Sequence, residues 1–373
     1  MVGKLLRPYI VVTVLCLIYC LAVIGIRGGG DPLILMTIGT QYNPDLADHA
    51  YSEEGYDGQY TYYIAENPET ASQYIDVPAY RFQRILLPIS GRILALGQSS
   101  IIPFALIIVN LMALAGGTYI LEQLLISHNV SRWFAIGYGL SIGVFGSARL
   151  MTTETLAYAL VLLAIWLYQR EKWQWSAMIF ALSAFSKEMT LIFVAGHVLY
   201  LFTQKEWKRG ILFGLIAGIP FAIWQLVLFS WFNSFGIGSG GDLATGFEIF
   251  PFWGYLGILP EWGIEKFAIV TLFVGTFVLP PTIWGLWQCW KDYQRKKWSL
   301  LTWLLLVNCT IMLFVPQSTY REILGILRFI VGLQISVILY SAKNRKRRAL
   351  TYSTFWFITT LFVVMSDFNM PTA

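Results

Sequence analysis

Charge is scarce in this chain of 373 residues: Asp, Glu, Lys and Arg together make up 13% of it, about half the ~25% of an average soluble domain. That deficit excludes a soluble enzyme, a nucleic-acid-binding domain and a disordered chain. Histidine is scarcer still, with three residues. The four cysteines, Cys16, Cys20, Cys289 and Cys309, fall inside apolar runs without a CxxC pair, so neither a disulfide framework nor a zinc site is expected. The sequence also contains no internal repeat, heptad or low-complexity tract, and no matched pair of interrupted helices as in inverted-repeat transporters.

Apolar surface takes the place of charge. Hydrophobic residues reach 57% and aromatics 16%, the mean hydropathy is +0.61, and aromatic side chains suit lipid–water boundaries. The first apolar run, about 9–26, follows Lys4 and Arg7 as in a signal peptide, but it exits through Arg27-Gly28-Gly29-Gly30-Asp31. That exit carries no small-x-small cleavage pattern, so the run reads as a retained membrane helix. Ten further apolar stretches follow, at about 101–125, 133–148, 154–168, 174–186, 188–203, 210–232, 267–289, 298–315, 323–341 and 350–366. Most approach the ~20 residues needed to cross ~30 Å of hydrocarbon. The expected fold is therefore an all-α polytopic bundle of about 11 transmembrane helices, one membrane domain over 1–373. Two less apolar segments interrupt it: 27–100, expected to carry short interfacial helices, and 233–266, rich in glycine and aromatics.

Basic residues set the orientation. Arg7, Arg132, Arg170/Lys172, Lys205/Lys208/Arg209, Lys291/Arg295/Lys296/Lys297 and Lys343/Arg345/Lys346/Arg347/Arg348 recur at every second connection, as cytoplasmic loops require. The reading is an inner (plasma) membrane protein with a cytoplasmic N-terminus, an outer C-terminus and both long segments on the outer face. Because Arg170 and Lys205 both belong inside, the chain between them must go out and return, pivoting at Ser186-Lys187-Glu188. The pI of 8.9 then reflects loops facing anionic lipid headgroups.

Ionisable residues beside hydrocarbon are costly and mark function, and here they collect on the outer face. The run Tyr56-Asp57-Gly58-Gln59-Tyr60-Thr61-Tyr62-Tyr63-Ile64-Ala65-Glu66-Asn67-Pro68 predicts a short helix that stops before Pro68, with Asp57 either its N-cap or a catalytic acid. From Ala79 to Arg92 an amphipathic helix is expected, with Arg84 about 60° to one side of Arg81 and Arg92 about 20° to the other, opposite an Ile/Leu face. Such a stripe suits either snorkelling to headgroups or a two-oxygen grip on a phosphate. Glu154, Lys187 and Glu188 sit at helix starts and turns, where acids also favour the helix dipole. Arg321 and Arg328 are seven apart, hence on one face of a continuous helix, with Arg328 about 10 Å below the loop and too deep to stand idle without a partner or an anion.

The Tyr56–Ala65 segment resembles the W-D-x-x-x-Y-x-x-I-A signature of membrane mannosyltransferases of the GPI mannosyltransferase II type and their bacterial relatives, members of the GT-C glycosyltransferases. Arg84-Ile85-Leu86-Leu87-Pro88, Thr153-Glu154-Thr155-Leu156 and Ser186-Lys187-Glu188 extend the likeness over the N-terminal ~200 residues, while Tyr56 stands where relatives carry Trp. The resemblance implies an inverting transferase that takes a sugar from a polyprenyl-phosphate donor on the outer face, with Asp57 as general base. Its acceptor is a glycan, lipid or protein hydroxyl. Gln59, Arg81, Arg84, Glu154, Lys187, Glu188, Arg321 and Arg328 are the expected substrate-binding set. A divalent cation is compatible with the superfamily, but the loop has no DxD motif, and no cofactor is assigned. The competing readings are a transporter or flippase of lipid-linked or anionic solutes, and a polysaccharide polymerase or ligase, which places its large outer loop late in the chain.

Overall fold

A backbone in hydrocarbon must satisfy its own N–H and C=O groups, so apolar runs become helices. The computed structural model describes residues 6–240 and 244–369, and Lys4 of the N-terminal basic pair lies outside them. The described residues are helical, with no strand beyond an isolated bridge between Gly39 and Ser52. In chain order the main helices are α1 (Pro8–Ile26), α2 (Gly58–Glu66), α3 (Pro78–Phe82), α4 (Leu86–Leu94), α5 (Ile102–Ser127), α6 (Glu154–Gln169), α7 (Trp173–Ser186), α8 (Leu191–Thr203) and α9 (Trp207–Phe232). There follow α10 (Ile258–Phe273), α11 (Leu279–Gln294), α12 (Leu300–Leu313), α13 (Gln317–Arg321), α14 (Ile323–Phe329), α15 (Val331–Lys343), α16 (Arg347–Thr354) and α17 (Leu361–Asn369).

Among the described residues, five helical stretches are long and apolar enough to cross a membrane: Pro8–Ile26, Ser99–Ser127, Trp207–Phe232, Ile258–Gln294 and Arg347–Asp367. A sixth arises if α14 and α15, bent by 41°, form one broken span. Glu154–Gln169, Glu188–Thr203 and Leu300–Leu313 are apolar but shorter. The stretch 133–148 is no single helix; it breaks into 3-10, α and π turns. Glycine explains the break, because Gly137 lies where a Cβ would stand 2.2 Å from the Ser353 carbonyl and Gly143 where one would stand 2.3 Å from the Val331 side chain. Close backbone approach has replaced a straight span there. The stretch 267–289 lies in a helical run from Ile258 to Gln294 that includes a π turn at Val274–Val278. The last part of 233–266 is thus helix, interrupted at Gly263 with φ +79°.

Helix α6 is the centre of the bundle, packed against α5 and α7 with α15 also in contact. Helix α7 rests on α9, and α8 runs between α9 and α12. Lys187 is the extended pivot between α7 and the turn that opens α8. The short helices of segment 27–100 pack over this end of the bundle, α2 on α4 and α5, and α3 on α9.

Candidate functional site

Asp57 immediately precedes α2, and Gly58 determines how closely that helix can approach the bundle. A Cβ on Gly58 would stand 2.2 Å from the Leu150 carbonyl oxygen and 2.9 Å from that of Met36, so glycine alone allows α2 to begin against the turn leading into Glu154. Gly58→Ala should therefore cost about 1–3 kcal/mol, as overpacking does, and thermal unfolding in detergent would read the loss. Asp57 sits at the N-cap position, but its side chain accepts no hydrogen bond from the helix. Its carboxylate turns to two guanidinium groups instead: Arg81 Nη1 donates to Oδ1 at 2.8 Å and Arg328 Nη1 to Oδ2 at 2.8 Å.

Each of these arginines is held by a second acid. Arg81 donates through Nε and Nη2 to Asp76, at 2.8 and 2.7 Å. Arg328 donates through Nε and Nη2 to Glu154 Oε1, at 3.0 and 2.6 Å, and Lys187 Nζ reaches the same oxygen at 2.6 Å. Ser147 donates to the other Glu154 oxygen at 3.3 Å. Arg84 grips Glu188 with Nε and Nη2 at 3.0 and 2.7 Å, and its Nη2 also reaches the Tyr80 hydroxyl at 2.8 Å. Tyrosine rings back the cations: Arg81 lies 4.2 Å from the Tyr60 centroid, Arg84 4.4 Å from Tyr80 and Arg328 5.3 Å from Tyr56.

Exposure differs sharply among these acids. The Glu154 side chain is 0% exposed and Asp57 is 29% exposed, so Asp57 is the more accessible of the two acids beside Arg328. Burial pushes the Asp57 carboxyl up, but Arg81 and Arg328 more than cancel that and hold it well below the usual carboxylate range. Its ion pairs accordingly stabilise the fold at neutral pH. That contribution disappears only as pH falls below the ordinary carboxylate range toward the low value Asp57 has when folded. For the Lys187 ammonium, burial outweighs the pull of Glu154 and moves it below its ordinary value.

A small cleft of about 20 Å³, lined among others by Asp57, Arg81, Arg84, Thr152, Thr153 and Arg328, opens on this cluster. A second, apolar groove of about 680 Å³ runs beside it, walled by Phe82, Ile85, Ile89, Phe185, Trp224 and Phe232. One short stretch of chain serves both. Arg81 and Arg84 face the cleft, while Phe82 and Ile85 face the groove.

Of the residues singled out in the sequence, Asp57, Arg81, Arg84, Glu154, Lys187, Glu188 and Arg328 converge here from α2, α3, α6, the α7–α8 pivot and α14. Gln59 and Arg321 do not. Gln59 is buried, accepting from the Gly39 amide at 3.0 Å and donating to the Glu54 carbonyl at 3.0 Å, which latches the preceding loop. Arg321 lies 5.8 Å from the Trp262 ring centroid. It does not share a helix face with Arg328, because Glu322 is extended (φ −104°, ψ 117°) and separates α13 from α14.

The expected helix 79–92 is likewise two helices, α3 and α4. Pro88 accounts for this: its ring would collide with the carbonyl four residues back, at Arg84, and it has no N–H to offer. The helix restarts at Leu86 and takes Pro88 into its first turn. The basic stripe is consequently divided, and Arg92 leaves it to cap α2, donating to the Ala65 carbonyl at 3.0 Å and to that of Glu66. Neither Asp76 nor the hydroxyls of Tyr56 and Tyr80 stood out in the sequence. An acid two residues before Pro78 and five before Arg81 was the available signal for Asp76.

Among the described residues, no group of three His, Cys, Asp or Glu side chains is placed to hold a metal ion. Asp57 and Glu154, the carboxylates that flank Arg328, face Arg and Lys donors. Comparison with family models, curated proteins and solved structures finds no match for this chain.

Proposed function

We propose that the protein is a membrane glycosyltransferase that moves a sugar from a polyprenyl-phosphate-linked donor to an acceptor hydroxyl on the outer face, with inversion and with Asp57 as general base. One observation carries the reading. A cleft lined by three guanidinium groups and a partly exposed carboxylate shares residues 81–85 with an apolar groove, and a ligand that fills both needs an anionic head and a long apolar tail. Guanidinium groups suit a phosphate because the planar fork meets two oxygens at once. A lipid-phosphate leaving group needs cations more than a strong acid. The attacking hydroxyl needs a carboxylate within hydrogen-bond reach, and Asp57 has the exposed face for it. The acceptor, a glycan, lipid or protein hydroxyl, enters over that face.

Arg328→Lys should weaken donor binding about tenfold or more although charge is kept. An ammonium cannot serve Glu154, Tyr56 and Asp57 together as the Arg328 fork does. Titration of the variant and the wild type with a polyprenyl-phosphate sugar measures the difference.

The same reading keeps about 11 passes, with 133–148 counted as a broken crossing and not a single helix, the N-terminus cytoplasmic and the C-terminus outside, on the strength of the alternating basic loops. Thr245, Ser127 and Asn344 are exposed and suit cysteine labelling in intact cells. Thr245→Cys should react with an impermeant maleimide from outside, and Ser127→Cys and Asn344→Cys only after the membrane is opened. Outside labelling at residue 344 would invert the orientation and remove the cluster from the outer face.

The function itself is tested by incubating purified protein with a panel of radiolabelled polyprenyl-phosphate sugars and candidate acceptors. Release of free polyprenyl phosphate with transfer of label is the expected result. Passage of intact lipid-linked sugar across a vesicle membrane without cleavage would favour a flippase instead.

A further inference from the structure

The cluster presents a difficulty for a general base, since both Asp57 oxygens are committed to cations. Resolving it assigns Asp57 a second role, and this inference rests on the lipid-phosphate reading above. We propose that the Asp57 carboxylate holds the position on Arg81 and Arg328 that the donor phosphate takes, and that the phosphate displaces it from both, freeing it to act as base.

The pattern of contacts points to this exchange. Asp76 holds the Nε and Nη2 edge of Arg81, and Glu154 the same edge of Arg328. These contacts aim the remaining Nη1 group of each arginine toward the cleft, where both meet Asp57. Asp57 makes one contact per arginine, against two from each of the other acids, and with 29% exposure it is the most accessible of them beside 19% for Asp76 and 0% for Glu154. It is therefore the anion most easily exchanged. Asp76 and Glu154 remain in place as positioning residues in both states. Tyr56, whose hydroxyl accepts from Arg328 Nη1 at 2.7 Å, holds that group in place while the anions change.

The exchange closes the reaction. With phosphate on the two Nη1 groups, Asp57 loses its cation partners and takes the proton of the acceptor hydroxyl. The acceptor oxygen forms a bond to the anomeric carbon as the bond from that carbon to the phosphate oxygen breaks, its electron pair leaving on the phosphate. A phosphodiester monoanion beside a carboxylate becomes a phosphomonoester dianion beside a carboxylic acid, so charge is conserved in the site. When Asp57 sheds its proton to water, it competes again for Arg81 and Arg328 and expels the polyprenyl phosphate.

The test uses full-length protein in detergent and farnesyl phosphate as the probe, titrated calorimetrically into the wild type, Asp57→Asn and Asp76→Asn. Displacement requires Asp57→Asn to bind the probe about tenfold more tightly than the wild type, because the competing anion is gone. Asp76→Asn should bind it about tenfold more weakly, because Arg81 is no longer aimed. Tightening in both variants would reduce the effect to general removal of negative charge and overturn the inference, as would equal or weaker binding by Asp57→Asn. Should Asp57→Asn fail to fold, Asp57→Ser removes the same charge and gives the same comparison. If the wild type and every variant fail to bind farnesyl phosphate, the lipid-phosphate reading itself falls; if the wild type binds and only the tightening is absent, that reading survives and the displacement does not.

Discussion

Asp57→Asn should give a folded protein whose turnover is about 10²–10⁴-fold slower, the loss expected when a general base is removed. The substitution is nearly isosteric and takes no cap from α2, because the Asp57 side chain makes no hydrogen bond to that helix. The two guanidinium contacts at 2.8 Å can pass in part to the Asn carbonyl oxygen. Arg81 keeps Asp76 and Arg328 keeps Glu154, so the cations stay in place. A rate defect without a matching loss of folded protein or of donor binding separates the chemical role from a structural one. Single-turnover measurements with bound donor read it directly, and a near-normal rate would return Asp57 to the role of a counter-ion.

Glu154→Gln should act in the opposite way, through stability. One Glu154 oxygen receives Arg328 twice and Lys187 once, and the side chain has no exposure to water that could replace it. Removing its charge leaves the Lys187 ammonium buried without a counter-ion and Arg328 with Asp57 alone, and breaking a buried pair in this way costs about 3–5 kcal/mol. The loss should be the largest of any single acid in the cluster. It should appear as a lower unfolding temperature in detergent and a poor yield of monodisperse protein. Lys187→Met in the Glu154→Gln background should recover part of it, since the unpaired ammonium is then gone. A Glu154→Gln protein as stable as the wild type would mean that water reaches the site far more freely than its burial implies.

Physical scarcity made much of this cluster legible in the sequence. In a chain with so little charge, an acid or base beside an apolar run needs a partner or a ligand, and Asp57, Arg81, Arg84, Glu154, Lys187, Glu188 and Arg328 turned out to be partners of one another. The short helix before Pro68 and the pivot at Lys187 were readable for similarly local reasons. Helix breaks were harder. Pro88 carried the signal that divides α3 from α4, whereas nothing local marks Glu322 as extended, and the assumption of one helix misplaced Arg321. Gln59 was misjudged because a polar residue beside a catalytic candidate looks the same whether it serves the ligand or latches a loop. The stretch 133–148 was apolar enough to read as a span, and its glycines serve a tertiary packing that hydropathy alone does not encode.

The account turns on a single amphiphile lying across cleft and groove. A cryo-EM map of the Asp57→Asn protein bound to a polyprenyl-phosphate sugar tests that placement most directly. The account predicts phosphate density between the guanidinium groups of Arg81, Arg84 and Arg328, with the sugar over residue 57 and the isoprenoid chain along Phe82, Ile85, Trp224 and Phe232. Phosphate density away from those arginines, or a chain that leaves the groove empty, would contradict it.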